Sequence, residues 1–308
     1  MNRDAIINWI LLVLLGVIWG FSFFFIKRGL AAFDSNQVGA LRIFLAFIAI
    51  VPIVPFVGLK VPNIKLPLIF LSALLGSGLP PFLFALAQTR ISSSVAGILN
   101  ALTPLFALLA GVFIFKLTMK WNHLLGVILG LGGAVMIIII QSDGAFEFNF
   151  GYSLLIILAT LFYGINANII RSKLYKIHPV KLGILNFCLI GPIAGIYLFS
   201  TDFVEIMQTN HQAWASLAYM GILASIGTAY SLILFNYLAF RTSALFATMV
   251  TYIIPVVSVI IGFFDGETIK AVHLIGLACI LIGVYVSSFK KHKGVQSTSV
   301  RPINNPIE

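Results

Sequence analysis

Ten stretches of apolar residues, separated by short polar connections, run the length of the chain: 8–26, 36–58, 66–87, 92–115, 122–140, 151–170, 180–199, 214–239, 242–264 and 270–289. A bilayer core of about 30 Å is crossed by a helix of about 20 residues, since each residue adds about 1.5 Å. No water is present there to satisfy backbone polar groups, so a spanning chain must be helical or close into a barrel. Barrel strands alternate apolar and polar residues over about ten positions. These runs do not alternate: VMIIII at 135–140 and LLIILA at 154–159 are solidly apolar. The pattern predicts an all-α integral membrane protein with ten transmembrane helices.

Composition decides against the remaining alternative, core helices of a soluble globule. Only 9% of the 308 residues are charged, and AVILMFWYC make up 60%. Soluble domains carry about 25% charged residues. So few charges cannot cover a soluble surface, which excludes a cytosolic enzyme, a secreted domain and a disordered chain. Arg3 precedes the first run but no small-residue cleavage pattern follows, so that run reads as a retained span. Cys188 and Cys279 both fall inside runs and read as packing groups, with no disulfide framework or metal-ligand spacing.

The formal charge of +10 does not point to nucleic acid. Lys and Arg sit in short clusters between the runs and form no groove-sized stripe. With the tails and alternate connections placed on one side, 14 of the 19 Lys and Arg fall there. Lys27, Arg28, Arg90 and Lys270 fall on the other side, and Arg42 lies inside the second run. Basic residues stay cytoplasmic, so both termini are expected in the cytoplasm, with the chain spanning the inner (plasma) membrane. The basic segment 290–308, which opens with KKHK, is expected to rest on anionic lipid.

The chain repeats itself. RISSSVAGILNALTPLFALLAG at 90–111 aligns without gaps with RTSALFATMVTYIIPVVSVIIG at 241–262. Arg90 meets Arg241, Ser92 meets Ser243, Ala96 meets Ala247, Pro104 meets Pro255 and Gly111 meets Gly262. WGFSFFFIK at 19–27 aligns with YGINANIIR at 163–171, and Gly126 and Gly133 align with Gly276 and Gly283. Two copies of a five-helix unit follow, 9–139 and 151–289. Five is odd, so the copies enter the membrane from opposite sides. Inverted repeats of this kind are typical of secondary transporters, whose halves rock about a central site.

The proline pair marks where that site is expected. A proline inside a helix frees the carbonyl four residues back, here those of Asn100 and Thr251. Such backbone is tolerated at membrane depth only inside protein or against a cavity. A structural kink healed by neighbouring helices is the competing reading. Thr103 and Tyr252 belong to the same patches. Trp19 and Tyr163 are repeat mates at mid-span, away from the interface belts that explain most membrane aromatics. Ser22 meets Asn166 one turn on, although Asn in a membrane helix commonly bridges helices. The substrate-binding set is therefore Trp19, Ser22, Asn100, Thr103, Tyr163, Asn166, Thr251 and Tyr252. Pro80 and Pro81 in GSGLPP (76–81), with its counterpart SIGTAYS (225–231), read as hinge segments. Arg42 lies about 9 Å from its helix end at 1.5 Å per residue. It reads as a snorkelling structural residue or as a contact for a substrate charge. Gly126 and Gly130 form G-x-x-x-G, which fits packing of the fifth helix on the tenth within a monomer; a homodimer face is the alternative.

These features resemble the drug/metabolite transporter superfamily, in its EamA-type ten-helix branch. The resemblance rests on Trp19-Gly20 and Lys27 in the first span and LRIFLA with Arg42 in the second. It rests also on the R-x-S-x-x-x-A segments leading to Pro104 and Pro255, and on the Gly-rich helix closing each half. Gly266-Glu267 follows the fourth helix of the second half; the first half departs there, with Phe115 and Lys116. The resemblance implies export or exchange of small metabolites, amino acids or drugs. Some relatives instead carry nucleotide sugars or triose phosphates.

The other function classes lack their residues. None of the nine acids lies deep in a run, and His123, His178, His211, His273 and His292 lie at span ends or in connections. An intramembrane enzyme would need a nucleophile, an acid–base pair or a metal cluster. No Walker pattern is present, so no ATP hydrolysis and no cofactor or metal is expected. A channel or scramblase would need a polar ring along a pore. The expected partners are a small-molecule substrate and lipid, not nucleic acid. A cavity with aromatic and neutral polar groups suits an amino acid or a similar neutral or zwitterionic solute.

Overall fold

The described residues of each of the ten apolar runs fold mainly as helix in the computed structural model, which describes residues 3–57, 65–140, 146–242 and 249–288. In chain order they are α1 (Arg3–Gly29), α2 (Ser35–Val57), α3 (Leu66–Ala87), α4 (Ser93–Phe113), α5 (Trp121–Ile140), α6 (Phe146–Lys173), α7 (Pro179–Phe199), α8 (213–241), α9 (Val250–Phe264) and α10 (Ala271–Ser288). Seven of them are long and apolar enough to cross a membrane on their described residues alone. The described apolar stretches of α5, α9 and α10 are shorter. Ser243 and Ala247 of the repeat, and the basic tail from 290, lie outside the described residues.

Several helices carry interruptions at membrane depth. The chain between α4's two pieces, Ser93–Asn100 and Thr103–Phe113, turns at Ala101 and Leu102, and Pro104 opens the second piece. Pro80 and Pro81 sit in the first turn after a π-helical turn in α3, Leu74–Gly78. Its repeat mate in α8 is also π-helical, Ser225–Tyr230. Pro255 lies inside α9 without ending it, and Pro192, which stands in no repeat motif, lies inside α7. One short helix outside the runs, Phe203–Thr209, buries Phe203 between α7 and α8.

The principal contacts between helices recur when the two sets of five helices exchange roles. α1 lies on α9 as α6 lies on α4; α1 on α8 as α6 on α3. α2 pairs with its own mate α7, and α5 with its own mate α10. The C-terminal ends of α1 and α9 meet at one pole, where Lys27 contacts Asp265. Those of α4 and α6 meet at the other, where a Cβ on Gly111 would stand 3.2 Å from Asn168 Oδ1. The second pole also carries the start of α1, where Asp4 Oδ1 accepts from Arg241 Nη2 at 2.9 Å. We call these the far pole and the terminal pole. The mates therefore run in opposite directions.

Glycine sets the closest contacts. A Cβ on Gly283 would lie 2.5 Å from the carbonyl oxygen of Gly126, and one on Gly133 would lie 2.8 Å from that of Gly276. Gly126, Gly133, Gly276 and Gly283 thus form the α5–α10 contact, whereas a Cβ on Gly130 would meet Leu105 of α4 and one on Gly132 would meet nothing within 4 Å. Gly20 of α1 takes Val257 of α9, and Gly164 of α6 takes the backbone at Ala107 of α4. Close backbone approach of this kind is how helices associate where lipid supplies no hydrophobic drive.

Candidate functional site

Between the two sets of helices lies a cavity of about 310 Å3. Its wall draws on α1, α2, α3 and α4 from one set and on α6, α7, α8 and α9 from the other. Of the residues singled out above, Trp19, Ser22, Asn100, Thr103, Tyr163, Thr251 and Arg42 line it. Both π-helical turns reach it, through Gly76 and Ser77 of α3 and through Gly227 and Thr228 of α8. A π-helical turn widens the helix and displaces backbone from the regular ladder, which is why such turns gather at functional sites.

Each polar group has a definite local reason for its position. Pro104 cannot donate to the carbonyl of Asn100, and Thr103 Oγ1 donates to it instead, at 2.8 Å. The break is thus satisfied within the chain, and the Asn100 side chain lines the cavity with no protein partner among the described residues. Trp19 Nε1 donates to Ser231 Oγ of α8 at 2.9 Å, and its ring packs on Phe235 with centroids 5.4 Å apart. Its mate Tyr163 stacks on Phe84 of α3 at 6.2 Å. The two aromatics therefore pin α1 to α8 and α6 to α3 while facing the same space.

Arg42 does not reach a span end. It lies on the cavity wall, and its Nε donates to Thr228 Oγ1 at 3.3 Å. Asn166 and Tyr252 are not on that wall. Asn166 Oδ1 accepts from Ser72 Oγ of α3 at 2.7 Å, and its amide fills the space over Gly76, where a Cβ would lie 2.2 Å from Nδ2. It serves as a bridge between α3 and α6. Tyr252 packs, half-buried, against the hydrophobic core. Phe84, Phe187 and Thr228 line the cavity without having been singled out. Thr228 lay inside the SIGTAYS hinge, where its polar side chain at mid-span was the available signal.

At the far pole, charged groups tie the helix ends together. Lys27 and Arg28, at the end of α1, both contact Asp265 in the α9–α10 turn, and Lys27 Nζ also lies 3.4 Å from Glu267 Oε1. Glu267 in turn caps the start of α4. It accepts from the backbone N–H of Ser93 at 2.9 Å, and from the N–H and hydroxyl of Ser94 at 3.0 and 2.6 Å. Helix N-termini present unpaired N–H groups that favour an anion. Burial by itself pushes the Glu267 carboxyl upward; the hydrogen bonds from Ser94 and Ser93 and the Lys27 charge outweigh it and hold it below the usual carboxylate range. The Gly-Glu dipeptide of the sequence is therefore a clamp across α1, α4 and α9.

The turn between α4 and α5 copies this one in backbone but not in side chain. Leu117 N–H donates to Gly111 O at 2.9 Å, as Glu267 N–H donates to Gly262 O at 2.8 Å. Lys116 and Gly266 hold the left-handed conformation, at φ 56° and 81°. Lys116 and Leu117, not Phe115 and Lys116, therefore stand opposite Gly266 and Glu267. The first turn holds one more residue than the second, a difference that ungapped alignment cannot show.

Comparison with known proteins agrees with this architecture. The sequence pattern of the EamA-like transporter family matches residues 7–139 and 150–289. A protein of Archaeoglobus fulgidus called an uncharacterized transporter is 24% identical over 280 residues, 91% of this chain and 98% of its own. A probable amino-acid metabolite efflux pump of Salmonella typhimurium is 25% identical over 299 residues, covering 91% and 94% of the two chains. A probable terminal-alkyne amino-acid exporter of Streptantibioticus cattleyicolor is 24% identical, covering 89% and 90%. A protein of known crystal structure superposes with a TM-score of 0.57 at 15% identity, over 93% of this chain and 97% of its own. With both sets of helices matched, this multi-pass membrane protein belongs to the EamA-like transporter family, a branch of the drug/metabolite transporter superfamily.

Proposed function

We propose that this transporter moves a small organic metabolite, an amino acid or a solute of similar size and chemistry, out of the cytoplasm by alternating access. The observation that carries the reading is the cavity itself, walled by mated helices from both sets and reached by both π-helical turns. A site shared by two inverted copies is one that either pole can open onto. Its volume lies near the lower bound of small-molecule pockets, about 300 Å3, which suits an occupant of amino-acid size. Two of the relatives described above carry amino-acid export in their names. The terminal pole faces the cytoplasm in this reading, since 14 of 19 basic residues fall on that side.

The test is efflux of labelled amino acids from proteoliposomes holding the full chain. Asn100→Ala and Trp19→Ala are expected to slow efflux severalfold at an unchanged yield of folded protein. Wild-type rates in both variants would remove the cavity from the transport path.

A further inference from the structure

Arg42 is the only charged residue on the cavity wall among the described residues. A guanidinium offers five donors in a planar fork. Among the described residues Arg42 uses one of them, Nε, and makes no ion pair. A cation held away from bulk water without an opposing charge is costly, and proteins pair such groups or build function on them. The rest of the wall cannot compensate it. Phe84, Phe187 and Leu232 are apolar, and Ser22, Ser77, Asn100, Thr103, Thr251 and the neighbouring Tyr163 are neutral dipoles that carry no opposing charge.

We propose that Arg42 is the specificity-determining residue of this cavity: the solute carries a carboxylate that pairs with the free edge of the guanidinium. The Thr228 hydroxyl holds Nε and so fixes the plane of the fork. The four Nη donors are then placed for a two-point contact with a planar anion, the strongest pairing a guanidinium makes. The same wall leaves the other end of an amino acid unread. No acid among the described residues lines the cavity, so an ammonium exchanges water only for neutral dipoles, with little net gain. The carrier therefore accepts an acid whether its neighbouring carbon bears an amino or a hydroxyl group, and rejects the amide of the same skeleton. The inference rests on the cavity being the solute site.

Thermal-shift titration of the purified full chain in detergent tests it, with an amino acid, its 2-hydroxy acid and its amide as probes on alanine, leucine and phenylalanine skeletons. For the skeleton that binds best, the amide is expected to bind at least about tenfold more weakly than the amino acid, since a hydrogen bond to a charged group is worth about 1.5–3 kcal/mol. The hydroxy acid is expected within about threefold of the amino acid. Arg42→Gln should bring the acid-to-amide ratio close to one, and Arg42→Lys should keep part of it, because a point charge cannot supply the two-point contact. Amides binding as well as acids to the wild type, no binding by any probe, or a ratio that survives Arg42→Gln would each overturn the assignment. The wild-type comparison stands even where a variant fails to fold. Efflux from proteoliposomes separates the two readings. Discrimination without flux would retain Arg42 and remove transport, whereas flux without discrimination would do the reverse.

Discussion

The α4–α5 and α9–α10 turns share a backbone and differ in what they hold. Both pass through a left-handed residue, and both return an N–H to a glycine carbonyl at the end of the preceding helix. Both also open the next helix with a histidine whose Nδ1 accepts a backbone N–H at 3.2 Å, His123 from Lys120 and His273 from Lys270. At the position after the left-handed residue one turn has Glu267 and the other Leu117. Glu267 ties three helices together; Leu117 is 48% exposed and touches its own Gly111. The two turns keep the hydrogen bonds that any sequence can make and differ in their side chains. The two poles of the fold are thus chemically unequal.

The largest expected effect tests that inequality directly. Glu267→Ala strips the N–H groups of Ser93 and Ser94 and the Lys27 ammonium of a nearly buried partner. A loss of about 3 kcal/mol is expected, the scale for buried donors left unpaired beside a removed charge. Leu117→Ala should cost about 1 kcal/mol or less, as its apolar surface is only half buried. Thermal unfolding in detergent ranks the two, and equal losses would mean that the carboxylate is not what distinguishes the poles.

A smaller effect separates charge from shape. Because the native Glu267 carboxyl is held below its ordinary value, its contribution is fully present above the unfolded value near about pH 4.3. It is lost as pH falls from there through the lower native value. Glu267→Gln has no such group to protonate, so the stability gap between wild type and variant should shrink as pH is lowered through that window. A gap independent of pH would assign the clamp to shape alone.

The smallest effects concern the left-handed residues. Gly266→Ala is expected to cost about 1 kcal/mol, since a side chain there is strained. Lys116→Gly should be neutral to stabilising by less than about 1 kcal/mol, with released strain set against the greater freedom of glycine when unfolded. Opposite signs in the unfolding midpoint would establish that the two turns share one backbone demand.

Sequence pattern carried the helices because membrane length and hydropathy are local quantities, readable run by run. It also carried the proline pair, as a missing N–H is intrinsic to the residue. What it could not carry was partnership. Whether Asn166 faces a cavity or a helix depends on Ser72, 94 positions away, and the meaning of Glu267 depends on Ser93 and Ser94, 174 and 173 positions away. Arg42 showed the same limit. Its depth was countable, but its placement against Thr228 follows from how α8 swells at its π-helical turn, which no local pattern specifies.

The glycine seam between α5 and α10 has one more consequence. Each of these helices is the other's mate, so in the alternating access proposed above their contact would map onto itself as the two sets of helices trade shapes. Gly126 against Gly283 and Gly133 against Gly276 can stay in register throughout such an exchange. On that proposal the pair is a fixed keel, against which the other eight helices would tilt without losing contact.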